Sequence, residues 1–369
     1  MSEIKIDCKY FSGEKPCKFH KLYGRKCNNC SFYEPMSKNI LILKIGEAGE
    51  VIRNTPLLRK LRVLYPESYI TWLTEYPELV PEQFVDRVIG FSWENIEILK
   101  CQKFDIVYSL DKDQSVAAIA TQIKANQKFG FYLNEKGKVM PFNELAFHKW
   151  KTGIFDDIMK MNKKHYIEEI FEICGFKFNG EEYILPPFSV PNIALKKTSK
   201  DLIVGLNTGV GPRWKIREWP LEHWAELAES LQKAGFKVLL LGGPSEDKKN
   251  RYLSEKTGAY YAGVFSLRNF IGLVNLCDIV VTSVTLCLHI AIGLKKKIIL
   301  FNNAFNKNEF YLYNLGVILE PPLPCVSCYK HHFDNNCPVD NCMKLIDPSE
   351  VKKIIINIAK STRKDLFYE

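Results

Sequence analysis

The sequence predicts an α/β protein with two lobes, each built on a parallel sheet. The chain has 369 residues, and at about 150 residues per domain this length favours two domains. Short aliphatic runs alternate with stretches of helical periodicity in two successive sets, which is typical of repeated strand–helix units. Apolar residues make up 46% of the chain and charged residues 25%. This composition excludes wholesale disorder and collagen-like or coiled-coil structure.

The first set of strand–helix units begins at Asn39 and predicts an N-terminal lobe over residues 39–190. The predicted strands are the runs NILILK, YITWLT and FDIVYSL. Between the first two, the segment TPLLRKLRVLY has the period of an amphipathic helix. The proline-rich stretch ILPPFSVPNIALKKTSK then interrupts the alternation, and we expect it to link the two lobes.

The second set predicts a C-terminal lobe over residues 201–345. Its predicted strands are DLIVGL, FKVLLLGG, CDIVVTS and KKIILF. A helix is expected between the first two, because Pro220 and Gly235 flank an amphipathic stretch at the ends where each residue is favoured. A final helix over residues 347–361 should be capped by Asp347, with Pro348 in its first position.

Eight of the twelve cysteines form two groups of four. The first group lies in a segment of residues 1–38 that has almost no aliphatic residues and cannot build an apolar core alone. Four thiolates suit a structural zinc or iron ion and leave no open catalytic position, so structural metal is favoured over the alternative of unrelated free thiols. The predicted metal ligands are Cys8, Cys17, Cys27 and Cys30 in an N-terminal module, and Cys325, Cys328, Cys337 and Cys342 in a finger over residues 325–342. The other four, Cys101, Cys174, Cys277 and Cys287, are expected to pack as small apolar residues.

The N-terminus and the charge balance restrict location and partners. The charged, cysteine-bearing N-terminus is unlike a signal peptide, and no apolar run reaches the ~18–20 residues of a membrane span. We therefore expect a cytosolic protein with reduced cysteines. Lysine and arginine number 51 against 42 acidic residues, which favours anionic partners such as nucleotides or phosphorylated glycans. Nucleic acid is not an expected partner because no base-reading motif is present, although a basic N-terminal ribbon is an alternative interpretation.

A candidate general base follows the first predicted strand, in the segment KIGEAGEVIRNTPLLRKL. Glu50 lies at the start of a helix, and ligands of parallel α/β sheets bind beyond the carboxyl ends of the strands. Its carboxylate could therefore accept a proton from a hydroxyl nucleophile. The alternative is a structural role, in which Glu50 favours the helix N-terminus or pairs with Arg53 one turn later. Glu47 is a weaker candidate for the same role.

A candidate diphosphate cradle opens the second lobe, in the segment IVGLNTGVGPRWKIREWPLEHW. Glycines allow backbone N–H groups to approach phosphate oxygens, while arginine and lysine supply charge. The residues concerned are Thr208, Gly209, Gly211, Arg213, Lys215 and Arg217. The spacing of known phosphate-binding fingerprints is absent, so a solvated basic loop is the alternative.

Two further strand ends carry candidate donor-binding residues. Gly242 and Gly243 are followed by Glu246, which could contact a ribose hydroxyl. Thr285 lies where a strand gives way to a helix, a natural position for an anion, and His289 is one turn inside it. A histidine among aliphatic residues is more often a core residue than a catalyst.

Taken in order, these motifs resemble glycosyltransferase family 9, the ADP-heptose-dependent heptosyltransferases. The resemblance covers about residues 39–345 and rests on the segments GEVIRNTPLLR, GVGPRWKIREWPLEHWAEL, LLLGGPSED and FSLRNFIGLVNLCDIVVTSVTLCLHIAIGLKKKIILFN, together with the C-terminal cysteines. It implies a GT-B architecture, with two Rossmann-like lobes and a cleft between them. The N-terminal lobe would take the acceptor and the C-terminal lobe the nucleotide sugar.

The resemblance also implies residue roles. Glu50 falls where the family carries an aspartate base, Arg217 at the cation that binds the diphosphate, and Glu246 at the ribose contact. It places Thr285 to His289 at the loop around the diphosphate and sugar. Together with the residues taken from the segments above, the predicted donor-binding set is Thr208, Gly209, Arg213, Lys215, Gly243, Glu246, Thr285, Leu286 and His289. With cations neutralising the leaving group, no catalytic divalent metal is expected.

This sequence departs from the family pattern at three places. VTL at 284–286 replaces Asp-Thr-Gly and removes a carboxylate expected to hold sugar hydroxyls. NNA at 302–304 replaces Gly-Pro-Thr, and Glu50 is one methylene longer than aspartate. A changed donor sugar and a non-catalytic nucleotide- or glycan-binding scaffold are therefore alternatives to heptosyl transfer.

The resemblance predicts an inverting transferase that moves a sugar, heptose as first choice, from a nucleotide diphosphate to a lipopolysaccharide core acceptor. The C-terminal cysteines resemble the metal finger of the subgroup that heptosylates autotransporter proteins, so a protein acceptor is the alternative. A lipid-linked acceptor would bring peripheral contact with the inner face of the inner membrane. Self-association is left open.

Overall fold

The computed structural model describes residues 4–199 and 201–365. Residues 1–3 of the predicted N-terminal module and Lys200 of the predicted linker lie outside these ranges. The strands are β1 Asn39–Leu43, β2 Tyr69–Thr74, β3 Arg87–Gly90, β4 Lys103–Ser109, β5 Lys124–Leu133, β6 Val139–Pro141, β7 Ile203–Asn207, β8 Lys237–Leu241, β9 Tyr260–Tyr261, β10 Ile279–Ser283, β11 Lys297–Phe301 and β12 Gly316–Leu319.

The α-helices alternate with these strands along most of the chain. They are α1 Lys18–Tyr23, α2 Ala48–Arg53, α3 Pro56–Leu64, α4 Trp93–Cys101, α5 Gln114–Gln122, α6 Phe147–Thr152, α7 Asp156–Met161, α8 Tyr166–Ile173, α9 Leu221–Lys233, α10 Asp247–Thr257, α11 Leu267–Leu276, α12 Leu286–Gly293 and α13 Pro348–Asp365. The predicted helices before β2, between β7 and β8, and at the C-terminus are confirmed by α3, α9 and α13.

The chain divides into two compact units. Among the described residues, the first unit contains 4–47, 54–150 and 170–181, and the second contains 48–53, 151–169 and 182–365. The short helix α2 therefore belongs to the second unit, although the strand before it and the helix after it belong to the first.

The first unit contains a six-stranded sheet in the order β3-β2-β1-β4-β5-β6. Strands β1 to β5 pair in parallel and β6 is antiparallel to β5. Leu41 and Leu43 of β1 are fully buried and pack with Phe104 and Val107 of β4. Continuous aliphatic runs are needed here because both faces of a parallel sheet are covered.

The second unit contains a parallel six-stranded sheet in the order β12-β11-β10-β7-β8-β9. Its chain order reverses between β7 and β10, and this switch point is where doubly wound sheets bind ligands. The core includes Trp219, whose ring meets Trp224 edge-on at 4.8 Å and whose Nε1 donates to the Ile346 carbonyl at 3.0 Å. Val351 and Ile355 of α13 complete this core. The predicted α/β fold with two parallel-rich sheets is confirmed.

The cysteine-rich segment before β1 is held by aromatic contacts. Phe19 stacks on Phe32 with ring centroids 4.1 Å apart, and Tyr10 meets Phe19 edge-on at 4.8 Å. Helix α1 has no buried residue. Within residues 4–38 the segment therefore lacks the aliphatic core that the two sheets possess.

Of the four cysteines outside the two groups, three are buried, as predicted for small apolar residues. Cys174, Cys277 and Cys287 are buried, and burial raises the pKa of Cys277 to about 12. The prediction for Cys101 was wrong: it is exposed, because it is the last residue of α4, beyond the buried Leu99. Among the described helices, none combines the length and the apolar character that crossing a membrane requires.

Candidate functional site

Glu50 lies in the first turn of α2, directly after the small-residue turn that follows β1. Glu47 in that turn has φ of 38°, in the left-handed region that non-glycine residues rarely adopt. The turn lets the chain reverse sharply from strand to helix. Gly49 is equally constrained, because a Cβ at this position would be 2.7 Å from Cδ2 of His289 and 3.5 Å from Cα of Leu286. The residue next to Glu50 thus packs against the first turn of α12.

The carboxylate of Glu50 accepts a hydrogen bond from Nη1 of Arg53 at 3.1 Å. The Arg53 side chain is only 5% exposed, while that of Glu50 is 27% exposed. Arg53 also donates to the Glu309 carbonyl at 2.5 Å and lies over the Tyr166 ring at 3.9 Å. Burial acts to lower the pKa of Arg53, but the surrounding acidic groups, Glu50 first, raise it overall. The predicted pairing with Arg53 is therefore present, and the carboxylate still reaches solvent.

His289 is buried in α12 beside this pair. Its Nδ1 is 3.4 Å from the Tyr183 hydroxyl. Burial, followed by the positive charge of Arg53, lowers the pKa of His289 to about 3, so the imidazole is neutral at physiological pH. The arrangement favours a packing role and excludes an imidazolium that binds an anion at neutral pH.

The end of β7 and the loop that follows it contact polar groups from β10, the start of α12 and α10. The amide of Asn207 donates to the hydroxyls of Thr282 and Thr285 at 3.0 and 3.2 Å. Thr208 donates its hydroxyl hydrogen to Asn250 of α10 at 2.7 Å. Thr285 occupies the N-cap position of α12, but its side chain makes no capping bond. Polar groups from β7, β10 and α10 therefore meet at the carboxyl edge of the sheet.

Arg217 is a buried cation at the same edge. It is 5% exposed, and its guanidinium donates to the Val210 carbonyl at 2.6 Å and to the Val284 carbonyl. Its Nε has no hydrogen-bond partner, and within residues 4–199 and 201–365 no carboxylate pairs with it. Burial lowers the pKa of Arg217 to about 10, so it remains protonated at neutral pH. Arg213 and Lys215, on the same loop, are exposed.

Glu246 lies between two glycine-bearing loops. Its Oε2 accepts from the backbone N–H of Gly243 at 2.9 Å. A Cβ at Gly209 would be 2.5 Å from its carboxyl carbon, and one at Gly242 would be 2.7 Å from its Cβ. These glycines are needed for the close approach. Candidate donor-binding residues from the ends of β7 and β8 are thus in direct contact.

Sequence reasoning missed Lys249. Its ammonium donates to the Thr208 carbonyl and to Glu218, both at 2.8 Å, and so bridges the β7 loop and the loop before α9. The feature of the sequence that could have indicated Lys249 is its position in the first turn of α10, two residues after Asp247. Arg53 was noted only as an alternative partner of Glu50. Its burial depends on Tyr166 and Glu309, which are far away in sequence.

Each predicted group of four cysteines lines a single cavity. Cys8, Cys17, Cys27 and Cys30 surround one, and Cys325, Cys328, Cys337 and Cys342 surround another. N–H groups approach some of the sulfurs: the backbone of His20 donates to Cys17 at 3.4 Å, and the Asn303 amide donates to Cys342 at 3.2 Å. All eight are free thiols. Over the described ranges, however, no three His, Cys, Asp or Glu side chains are arranged to hold a metal ion.

Comparison with solved structures shows a shared fold. The glycosyl transferase family 9 protein from Veillonella parvula is 20% identical, with a TM-score of 0.64 over 88% of this chain and 97% of that one. The E. coli ADP-heptose LPS heptosyltransferase II is 16% identical, with a TM-score of 0.62 over 88% and 99%. The iron-containing dodecameric glycosyltransferase TibC from enterotoxigenic E. coli is 12% identical, with a TM-score of 0.57 over 89% and 80%. The predicted GT-B fold class is confirmed.

Sequence comparison is informative for the second unit. No curated protein sequence matches this one significantly. Residues 192–314 match the model of glycosyltransferase family 9 (heptosyltransferase). This segment includes the loops of Arg217, Glu246 and Thr285. The predicted resemblance of this chain to glycosyltransferase family 9 is therefore confirmed, and the match supports a glycosyltransferase.

Proposed function

We propose that this protein is an inverting glycosyltransferase that moves a sugar, heptose as first choice, from a nucleotide diphosphate to a hydroxyl of a lipopolysaccharide core acceptor. The observation that carries the proposal is the buried charge of Arg217. A buried guanidinium without an anionic partner is costly, and the cost is offset when an anion binds. A diphosphate would supply the missing charge, and its oxygens are the acceptors that arginine binds best.

The proposed reaction uses Glu50 as the general base. Its carboxylate removes the proton from the acceptor hydroxyl while that oxygen attacks the anomeric carbon. The bond from this carbon to the diphosphate oxygen breaks on the opposite face, so the configuration inverts. Base catalysis of this kind contributes ~10²- to 10⁴-fold in rate. Contact between Gly49 and Leu286 supports the assignment, because it brings the turn carrying Glu50 to the first turn of α12.

The departing diphosphate carries the developing negative charge. Arg217, with Arg213 or Lys215 and the N-terminus of α12 at Thr285, would neutralise it by fixed charges and dipoles. Such preorganised groups need no rearrangement at the moment of reaction. Four further members of the donor set, Thr208, Gly209, Gly243 and Glu246, would hold the nucleoside and its phosphates.

The proposal also specifies which donor and which acceptor the protein uses. ADP-heptose is the first choice because the E. coli LPS heptosyltransferase II, which shares the fold, is named for it. A protein acceptor is the second candidate, favoured by the cysteine-lined cavity at 325–342 and by the fold shared with iron-containing TibC. A lipopolysaccharide acceptor would bring the protein to the cytosolic face of the inner membrane.

The test of the proposed function measures donor binding and transfer separately. Calorimetry with ADP and a panel of nucleotide sugars should detect binding to the wild-type protein. Glu50→Gln should lower transfer at least ~100-fold with nucleotide affinity nearly unchanged. Glu47→Gln is the matched control in the same turn and should keep most of the activity. Binding without turnover in the wild type would favour the non-catalytic scaffold, and unchanged turnover in Glu50→Gln would refute the base.

We further propose that one or both cysteine groups bind structural zinc or iron. Spacing and the shared cavities support this, since four thiols line each cavity and thiolate is the ligand type of structural zinc and iron sites; binding would have to draw the sulfurs together around the ion. Elemental analysis of purified protein should give up to one ion per group. Cys30→Ser and Cys325→Ser should each remove the metal of their own group, whereas Cys101→Ser should remove none. Protein purified without zinc or iron that also fails to bind either on titration would contradict the proposal.

A further inference from the structure

The cationic loop over residues 212–217 is braced by the finger over residues 325–342 through direct contacts. The Trp214 ring stacks on the His331 ring, with centroids 3.9 Å apart and planes inclined by 15°. Nδ1 of His331 is 3.2 Å from the Arg213 carbonyl. The backbone N–H of Ile216 donates to the His331 carbonyl at 3.3 Å. One finger residue, His331, thus contacts three residues of the loop, Arg213, Trp214 and Ile216.

Two asparagines extend this contact on either side. The Asn303 amide donates both to the Ile216 carbonyl at 2.8 Å and to Cys342 Sγ at 3.2 Å, so it joins the loop directly to a finger cysteine. The Asn341 amide donates to the Glu218 carbonyl at 3.4 Å, just beyond the loop. The cavity lined by the four finger cysteines is also lined by Ile216 and Asn303.

The loop is also supported from elsewhere in the second unit, since the Trp214 ring meets the Phe305 ring edge-on at 4.7 Å and Arg217 donates to the Val210 and Val284 carbonyls. It is a 3-10 segment whose backbone departs from helical geometry at Trp214, with φ of −121° and ψ of 56°. Arg213 and Lys215 are exposed. The guanidinium of Arg217 lies 5.7 Å from the centroid of the Trp214 ring. A shift of Trp214 would therefore be transmitted to the buried arginine.

We propose that the finger is a positioning device for the donor site, with His331 as its principal contact residue. The finger holds Trp214 and the loop backbone so that the cations of the loop keep a fixed place at the carboxyl edge of the second sheet. Fixed positive groups bind an anionic ligand better than mobile ones, because less ordering accompanies binding. This inference rests on the proposed function, since it assumes that the loop binds the diphosphate.

The test compares two neighbouring histidines of the finger. His331→Ala removes the stacked ring, and His332→Ala is the matched control because His332 is exposed. Calorimetry with ADP should give an affinity at least ~5-fold lower for His331→Ala, from the loss of a stacking contact and a hydrogen bond. The control should bind within twofold of wild type. His331→Phe retains an aromatic ring against Trp214 and should recover part of the loss.

The outcomes separate this inference from the proposed function. Wild-type protein that does not bind ADP would contradict the proposed donor site and, with it, this inference. Wild-type binding with equal affinities for His331→Ala and His332→Ala would overturn the positioning role alone. Thermal unfolding checks the fold. If His331→Ala unfolds below the assay temperature, His331→Gln, which removes the ring but keeps a polar side chain, replaces it, and an affinity equal to that of His332→Ala would overturn the positioning role, whereas a loss of at least ~5-fold supports it.

Discussion

Replacing Gly49 with alanine tests the packing that orients the proposed base. A Cβ at this position would lie 2.7 Å from Cδ2 of His289, which is 0.7 Å short of the 3.4 Å at which ordinary contact begins. His289 is only 4% exposed, so its ring has little room to withdraw. On helix propensity alone, alanine in α2 would be favoured over glycine by up to ~1 kcal/mol. Overpacking of a filled site costs ~1–3 kcal/mol, so we expect the cost of the clash to exceed the gain in helix propensity.

The expected result is a loss of both stability and activity. Relief of the clash moves α2 away from α12 by several tenths of an ångström, and a displacement of ~1 Å at a reacting group can cost ~100-fold in rate. Urea denaturation should therefore give a free energy of unfolding lower by ~1–2 kcal/mol for Gly49→Ala, and transfer should fall by one to two orders of magnitude.

Gly46→Ala is the control for Gly49→Ala. Gly46 lies in the same turn, and a Cβ there would have no atom within 4 Å. This variant should match wild type within ~0.5 kcal/mol and keep most of the activity. A Gly49→Ala protein that is as stable and as active as Gly46→Ala would refute the reasoning, since the contact with His289 would then constrain neither the fold nor Glu50.

Two further predictions concern the charges beside Glu50. The pKa of His289 is about 3 in the folded protein and ~6.5 when unfolded, so between these values the unfolded chain binds more protons and stability falls as pH falls. Denaturation at pH 7 and pH 5 should show an extra loss of ~2 kcal/mol in wild type relative to His289→Gln, and equal losses would contradict the buried neutral imidazole. Arg53→Met removes the partner 3.1 Å from Glu50, and loss of this attraction should move the acidic limb of the transfer rate up by at least about one pH unit, since ~1 kcal/mol is the value for two such charges in bulk water and burial strengthens it. An unmoved acidic limb would contradict the pairing.

The fold could be predicted from sequence because parallel sheets impose a strong local pattern. Strands buried on both faces must be continuously aliphatic, so β1, β7 and β10 were recognisable as short apolar runs between polar turns. The edge strand β9 has only two residues and carries tyrosines, which leave no such pattern. The solvent exposure of a residue at a helix end also cannot be predicted from a short stretch of sequence. The prediction for Cys101 failed for this reason.

The candidate site was predictable only where it follows strand ends. Glu50, Glu246 and Thr285 were predicted as site residues because ligands collect at the carboxyl edge of a parallel sheet. The surroundings of Arg53 were not predictable, since its hydrogen-bond partner Glu309 is 256 residues away. Lys249 was missed for the same reason: its two partners come from loops that only the fold brings together.

The assignment of α2 to the second unit has a consequence for the proposed mechanism. Residues 48–53 pack with α12 through Gly49 and with Tyr166 through Arg53, so Glu50 is held inside the same unit as Arg217 and Thr285. The distance from the proposed base to the proposed leaving-group site would then be set by the packing of one unit. In the proposed mechanism, Arg53 pairs with Glu50, whereas Arg217 donates to backbone carbonyls and has no carboxylate partner among the described residues. The charge of Arg217 would then be available to the diphosphate, and the contact with Arg53 would set the strength of Glu50 as a base.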